Sequence, residues 1–196
     1  MSRTCCPNPS SYAGDHVTPA ARAELDAALK PLVREIPNFP KPGISFKDIT
    51  PLLADASAFR RATDGMAAAF AGDGITHVVG VESRGFILAA PIALKLGAGF
   101  VPVRKPGKLP HTVERVDYSL EYGTDALEMH RDTLQWGHRV LVVDDVLATG
   151  GTLKATCELI ALTGAELIGC SVLIALAELP GLTVMRHWRV HTLLRY

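Results

Sequence analysis

Two adjacent aspartates close an apolar run in Leu141-Val-Val-Asp-Asp-Val-Leu-Ala-Thr-Gly-Gly-Thr-Leu153. Neighbouring carboxylates suit the two neighbouring hydroxyls of a ribose, and they hold charge near a developing sugar cation. After Asp144 and Asp145, the stretch Ala148, Thr149, Gly150, Gly151, Thr152 offers hydroxyl donors and glycines that let the backbone come close. Amides at the start of a helix would face a phosphate there, and the helix dipole favours its charge. An ordinary strand-turn-helix would leave two carboxylates at the end of a buried run unpartnered, which is costly. No Gly-Lys-Thr or Gly-Lys-Ser follows, so this is not a Walker loop.

Three further segments carry candidate chemistry. Gly80-Val-Glu-Ser-Arg-Gly-Phe86 is another strand end turning into a helix, where Ser83 and Arg84, with the backbone amides around them, could hold a second anion; alone, it suits a structural helix start better. Val103-Arg-Lys-Pro-Gly-Lys-Leu-Pro-His-Thr-Val-Glu-Arg115 gathers Arg104, Lys105, Lys108, His111 and Arg115. A solvated charge run is the plain alternative, but a polar loop of this length in a compact domain is more often a lid. Glu121, in Tyr118-Ser-Leu-Glu-Tyr-Gly123, could accept a proton from a base or merely decorate a hairpin. In Phe39-Pro-Lys-Pro-Gly-Ile-Ser-Phe-Lys-Asp48, a rigid Pro/Gly loop presents Phe46 as a stacking platform, or else packs Phe39 and Phe46 into the core.

The elements that position these residues alternate. Thr18 and Pro19 start a helix that runs through Val33 and stops before Pro37. An irregular proline-punctuated loop covers 37–51, and a helix spans roughly 56–71. Strands are expected at 77–82, 99–103, 139–145 and 166–176, with helices at 85–96 and 151–162. A hairpin pairs 118–122 with 126–130 around Gly123-Thr124-Asp125. Strands alternating with helices imply an α/β fold with a parallel sheet flanked by helices. Residues 181–196 show no diagnostic pattern, and His187 and His191 read as surface or packing residues rather than ligands.

The 20 basic and 20 acidic side chains cancel, which argues against a dedicated nucleic-acid or membrane-surface binder. Cys5, Cys6, Cys157 and Cys170 lack metal or redox spacing and read as reduced thiols of a cytosolic protein. Residues 1–17 form a polar tail without the apolar stretch of a secretory signal, and the apolar run 167–179 is too interrupted to span a bilayer.

Val142 to Thr152 resembles the ribose-phosphate signature of the type I phosphoribosyltransferases. The segments 39–48 and 118–123 resemble the adenine-specific branch of that family, and the likeness covers about 36–196. It implies a single domain over 18–196, with a small hood from about 36–51 and the C-terminal segment, and a flexible loop or hairpin lid. It implies purine salvage: transfer of 5-phosphoribosyl from phosphoribosyl pyrophosphate to adenine, giving AMP and pyrophosphate. Asp144 and Asp145 would take the ribose hydroxyls, Ala148 to Thr152 the 5-phosphate, and Glu82, Ser83, Arg84, Arg104, Lys105 and Lys108 the pyrophosphate. The lid's basic residues would act in their own site or in a neighbouring subunit's. Ser45, Phe46 and Lys47 would bind adenine, Ser45 and Lys47 through the backbone, and Glu121 would be the catalytic acid/base. Many relatives carry arginine in place of Lys47. Mg2+ would arrive on the donor, with no direct protein ligand and Asp144 in reach through water. The family implies a cytoplasmic homodimer whose substrates are adenine and phosphoribosyl pyrophosphate.

Two rivals are distinguishable. A 6-oxopurine or xanthine phosphoribosyltransferase would need a donor to O6 where adenine itself donates from N6. A regulator that uses the same domain as a sensor would be expected to add a nucleic-acid-binding module or a basic face.

Overall fold

The β-branched run at His77–Val81 (β3) and the apolar run at Arg139–Leu147 (β7) lie side by side in parallel at the middle of a five-stranded sheet. The computed structural model describes residues 19–120 and 123–196. Gly99–Val103 (β4) flanks β3, while Glu166–Ala175 (β8) flanks β7 and is followed by Val190–Arg195 (β9). The order is β4-β3-β7-β8-β9, and every pairing is parallel.

Alternation along β7 divides the core. Leu141 and Val143 pack with Met66 and Phe70, and with Leu88 and Ile92 of Arg84–Leu96 (α4). This layer also holds Pro19–Leu29 (α1) and Ala56–Ala68 (α3), through Leu29, Ala58 and Ala62. Val140 and Val142 face the opposite way, onto Leu159 and Ile160 of Gly151–Thr163 (α5) and onto Leu127 and Met129. A sheet buried on both faces needs apolar residues at successive positions, which is what β7 carries.

Several boundaries differ from the expectations. The first helix ends at Leu29 and tightens into a 3-10 turn at Lys30–Leu32, where Pro31 enters. The segment 37–51 is not irregular throughout. Arg34–Pro37 (β1) pairs antiparallel with Ser45–Asp48 (β2), and Thr50–Ala54 (α2) follows. Pro37 ends β1 and Pro51 opens α2, while Pro40 and Pro42 occupy the reversal, where Asn38 and Gly43 have positive φ and the Gly43 amide donates to Asn38 Oδ1 at 2.9 Å.

The hairpin is longer than expected: Val113–Leu120 (β5) pairs with Gly123–His130 (β6) from Val113↔His130 to Leu120↔Gly123. Residues 123–125 are therefore strand rather than turn. The C-terminal segment supplies a short helix, Gly181–Val184 (α6), and the edge strand β9. His191 is buried on β9 against Phe70, and His187 is exposed; both behave as packing or surface residues. Cys157 and Cys170 are free and buried, with their Sγ atoms 3.7 Å apart; Cys5 and Cys6 lie outside the described residues. Among the described residues no helix is long and apolar enough to cross a membrane.

Candidate active site

Because β3 and β7 are parallel neighbours with Gly80 opposite Val143, the turns after them open at the same edge of the sheet. Ligands of open α/β sheets bind at that carboxyl edge. Glu82, joined to Ser83 by a cis peptide bond, meets Asp144 and Asp145 there. The approach depends on Gly85, since a Cβ at that position would lie 2.9 Å from Asp144 Oδ1 and 3.1 Å from the Val143 carbonyl oxygen.

Both aspartates are buried. Burial, reinforced by the neighbouring Asp145 carboxylate, pushes the Asp144 carboxyl well above the ordinary aspartate range. Arg84 Nε lies 2.6 Å from Asp145 Oδ2, an ion pair by distance. The N–H is not aligned on it, however, and Oδ2 has no hydrogen-bond partner. A buried carboxylate oxygen paired by charge but not by an aligned N–H keeps the capacity to accept a hydrogen bond from a hydroxyl.

The loop after β7 forms a small pocket of about 80 Å3 lined by Ala148, Thr149, Gly150, Gly151 and Thr152. Gly150 stands at the N-cap of α5 with φ +89°, and no side chain caps the helix, so its first amides remain available to an anion. Behind the loop, the Gly181 amide donates to the Ala148 carbonyl at 2.9 Å. Ser83 does not cap α4 through its side chain either, which removes the plain helix-start explanation for that serine.

These features open into one cleft of about 700 Å3. Its far wall is β2, with Ser45, Phe46 and Lys47, joined by Ile44, Leu176 and Leu179. Phe39 meets Phe46 edge-on at 5.1 Å between ring centres, and both rings belong to the outlying two-stranded ladder rather than the main core. Ser45 Oγ hydrogen-bonds Glu35. Lys47 Nζ pairs with Glu35 at 3.1 Å and stands 4.8 Å from the centre of the Tyr196 ring. The Lys47 side chain is thus engaged beside the cleft.

The basic loop is held at the rim. Arg104 reaches Glu82 with Nε and Nη2, each at 3.2 Å, and the Lys105 amide donates to Glu82 Oε2 at 3.0 Å. Burial raises the Glu82 pKa, but hydrogen bonds from Arg104 and the Lys105 amide outweigh it and leave the carboxyl below its ordinary value. Lys105 Nζ pairs with Asp125 at 2.9 Å, and Lys108 is exposed. None of Arg104, Lys105 and Lys108 lines the cleft; Glu82 connects them to it. Arg115 sits on β5 beside Asp117, and its Nη1 lies 3.9 Å from Glu128, whose other carboxylate oxygen takes the Gly107 amide of this loop. Glu121 lies outside the described residues.

Sequence reasoning missed four cleft or anchoring residues. Leu176 and Leu179 follow β8 and needed the sheet order to place them. Glu128 accepts the Gly107 amide at 2.9 Å, and Gly181 supports the 148–152 loop through its hydrogen bond to the Ala148 carbonyl. Only Gly181 left a sequence trace, a glycine directly after Pro180.

The phosphoribosyl transferase domain family matches residues 49–192. The adenine phosphoribosyltransferase of Myxococcus xanthus is 58% identical over 174 residues, covering 88% of this chain and 94% of that protein. The chain belongs to the adenine phosphoribosyltransferase family. The crystal structure of the family member from Rhodothermus marinus superposes with a TM-score of 0.85 at 49% identity, covering 89% of this chain and 99% of that one. The family enzyme from Giardia lamblia, solved with 9-deazaadenine, gives 0.83 at 37% identity, covering 87% and 97%. In this adenine phosphoribosyltransferase family member, the five-stranded parallel sheet flanked by helices is the type I fold implied by the Val142 to Thr152 signature.

Proposed function

We propose that the chain transfers 5-phosphoribosyl from phosphoribosyl pyrophosphate to adenine, giving AMP and pyrophosphate in purine salvage. The observation that carries this reading is the single cleft in which the uncapped start of α5, the aspartate pair and the Phe46 ring face one another. The 5-phosphate seats on Ala148 to Thr152, and Asp144 and Asp145 accept the ribose hydroxyls. Ser83 and Arg84 receive the pyrophosphate, with Arg104, Lys105 and Lys108 brought over it from the rim. Glu82 contributes by holding Arg104, since a bare carboxylate would repel the leaving group. Adenine lies against Phe46, and the backbone at Ser45 and Lys47 reads its polar edge.

In the reaction, the C1–O bond loosens to an oxocarbenium-like ribose while N9 approaches from the opposite face. The C1–N9 bond forms, pyrophosphate leaves, and Glu121 takes the N9 proton. Closure of the basic loop and hairpin excludes water that would hydrolyse the sugar.

The aspartate pair fits Mg2+ carried in on the donor, because two adjacent carboxylates lining the cleft are hard oxygen donors. Among the described residues no group of three or more His, Cys, Asp and Glu gathers into a cage. When bound, the ion would supply neutralisation of charge on the leaving pyrophosphate, and Asp144 would be the residue in reach of it through water.

The protein works as a cytoplasmic homodimer of single domains over 18–196, with a hood formed by 36–51 and the C-terminal segment. Exposed Ile87 and Leu94 on α4, beside exposed Phe100 on the edge strand β4, support self-association there. The free thiols at Cys157 and Cys170 suit a reducing compartment. The test is nucleotide formation from phosphoribosyl pyrophosphate and magnesium with adenine, hypoxanthine or xanthine. Adenine is preferred by at least about a hundredfold, because a site built for an N6 donor leaves its acceptors unpaired against O6. Equal use of hypoxanthine would overturn the assignment.

A further inference from the structure

Tyr118 and Asp125 are directly opposite each other across the hairpin, and their side chains meet over the first turn of α5. Tyr118 Oη is 3.3 Å from Asp125 Oδ2 and 3.4 Å from Thr152 Oγ1. Asp125 is otherwise occupied, taking Lys105 Nζ on Oδ2 at 2.9 Å and the Ala126 amide on Oδ1 at 2.9 Å. Burial raises the Tyr118 pKa above the ordinary phenol value, so the hydroxyl keeps its single proton near neutrality. That one proton can serve Asp125 or Thr152, but not both.

We infer that Tyr118 is a positioning residue that couples the phosphate loop to the hairpin bearing Glu121. The inference rests on the reading of Ala148 to Thr152 as the 5-phosphate site. With the loop empty, Tyr118 donates to Asp125, within the hairpin's own cross-strand pair. When a phosphate oxygen takes the proton of the Thr152 hydroxyl, Thr152 becomes a net acceptor towards Tyr118. The phenol proton then turns to Thr152, and one hydrogen bond passes from inside the hairpin to the link between hairpin and helix. Sugar-phosphate binding thereby draws the hairpin onto the cleft, and the Ala126 amide on Oδ1 keeps Asp125 in place while the phenol changes partner. No bond is made or broken beyond this exchange of hydrogen-bond partners.

The test is amide hydrogen exchange on the full chain with and without ribose 5-phosphate, for wild type and Tyr118→Phe. In wild type, the ligand slows exchange both at 148–152 and along 113–120 and 123–130. In Tyr118→Phe, protection at 148–152 persists and protection of the hairpin is lost. Turnover falls about three- to tenfold, the size expected for one hydrogen bond, while KM for phosphoribosyl pyrophosphate moves less than about twofold. Equal hairpin protection in the two proteins would overturn the inference and leave the phosphate site standing. No protection at 148–152 in wild type would overturn the phosphate site, and the inference with it.

Discussion

Arg84 Nε stands 2.6 Å from Asp145 Oδ2, and Arg84 Cζ is 4.9 Å from the centre of the Phe46 ring. One guanidinium therefore spans the proposed sugar site and the proposed base platform. Both contacts must rearrange when substrates enter, because the ribose hydroxyls need Asp145 and adenine needs the ring face. Arg84→Ala is expected to raise KM for phosphoribosyl pyrophosphate by about tenfold or more, through loss of a charged partner for pyrophosphate. Arg84→Lys keeps the charge without the planar fork, so it recovers only part of the loss. Steady-state kinetics with each substrate varied checks this, and an unchanged donor KM in Arg84→Ala would remove Arg84 from the site.

Phe46→Ala tests the other end of the same contact. Stacking on an aromatic ring contributes about 1–3 kcal/mol per base, so KM for adenine is expected to rise roughly five- to 150-fold. KM for the donor stays within about twofold, because Phe46 belongs to the wall of the cleft opposite the phosphate loop. A parallel rise in both constants would mean that the ring supports the cleft as a whole.

Asp144 gives the unliganded protein a pH dependence of definite sign. Its pKa is raised in the fold, so the folded state binds the proton more tightly than the unfolded chain does. The stability this contributes is full below the ordinary aspartate value of about 4 and is lost as pH rises through the raised value. Asp144→Asn has no proton to lose. In thermal melts from about pH 5 to about pH 8 without ligand, the variant gains on wild type as pH rises. A difference that stays constant with pH would show that Asp144 does not titrate in this window.

Gly181 offers a packing test of the phosphate loop. A Cβ there would lie 2.3 Å from the Ala148 carbonyl oxygen and 2.9 Å from Leu147 side-chain carbons. Gly181→Ala is expected to cost about 1–3 kcal/mol and to lower the melting temperature by roughly 2–10 °C, weakening ribose 5-phosphate binding as well. Gly72, where a Cβ would meet nothing within 4 Å, serves as the control. Equal melting temperatures for the two alanine variants would show that the loop yields freely.

The parts of the fold legible in the sequence are those where one signal dominates. The run Leu141 to Val143, two aspartates and Gly150-Gly151 mark strand, turn and helix within a few residues, and β7, its loop and α5 stand where they mark. β9 was hidden because His191 and Thr192 interrupt its apolar pattern and are buried only through packing and pairing beside β8. The hairpin was shortened because Gly123-Thr124-Asp125 has turn composition, yet Gly123 pairs with Leu120 and Asp125 with Tyr118. In the site, the residue types are legible and their partners are not. The likeness implies a pyrophosphate role for Glu82, and the sequence does not show that its hydrogen bonds go to Arg104 and Lys105, 22 and 23 positions along the chain.

Sugar binding at the strand-end pocket is open to calorimetric titration of magnesium phosphoribosyl pyrophosphate into wild type, Asp145→Asn and Glu121→Ala. Wild type and Glu121→Ala are expected to bind alike, although the latter forms little AMP, and Asp145→Asn is expected to bind at least about tenfold more weakly. Absence of binding by wild type, or undiminished binding by Asp145→Asn, would contradict it.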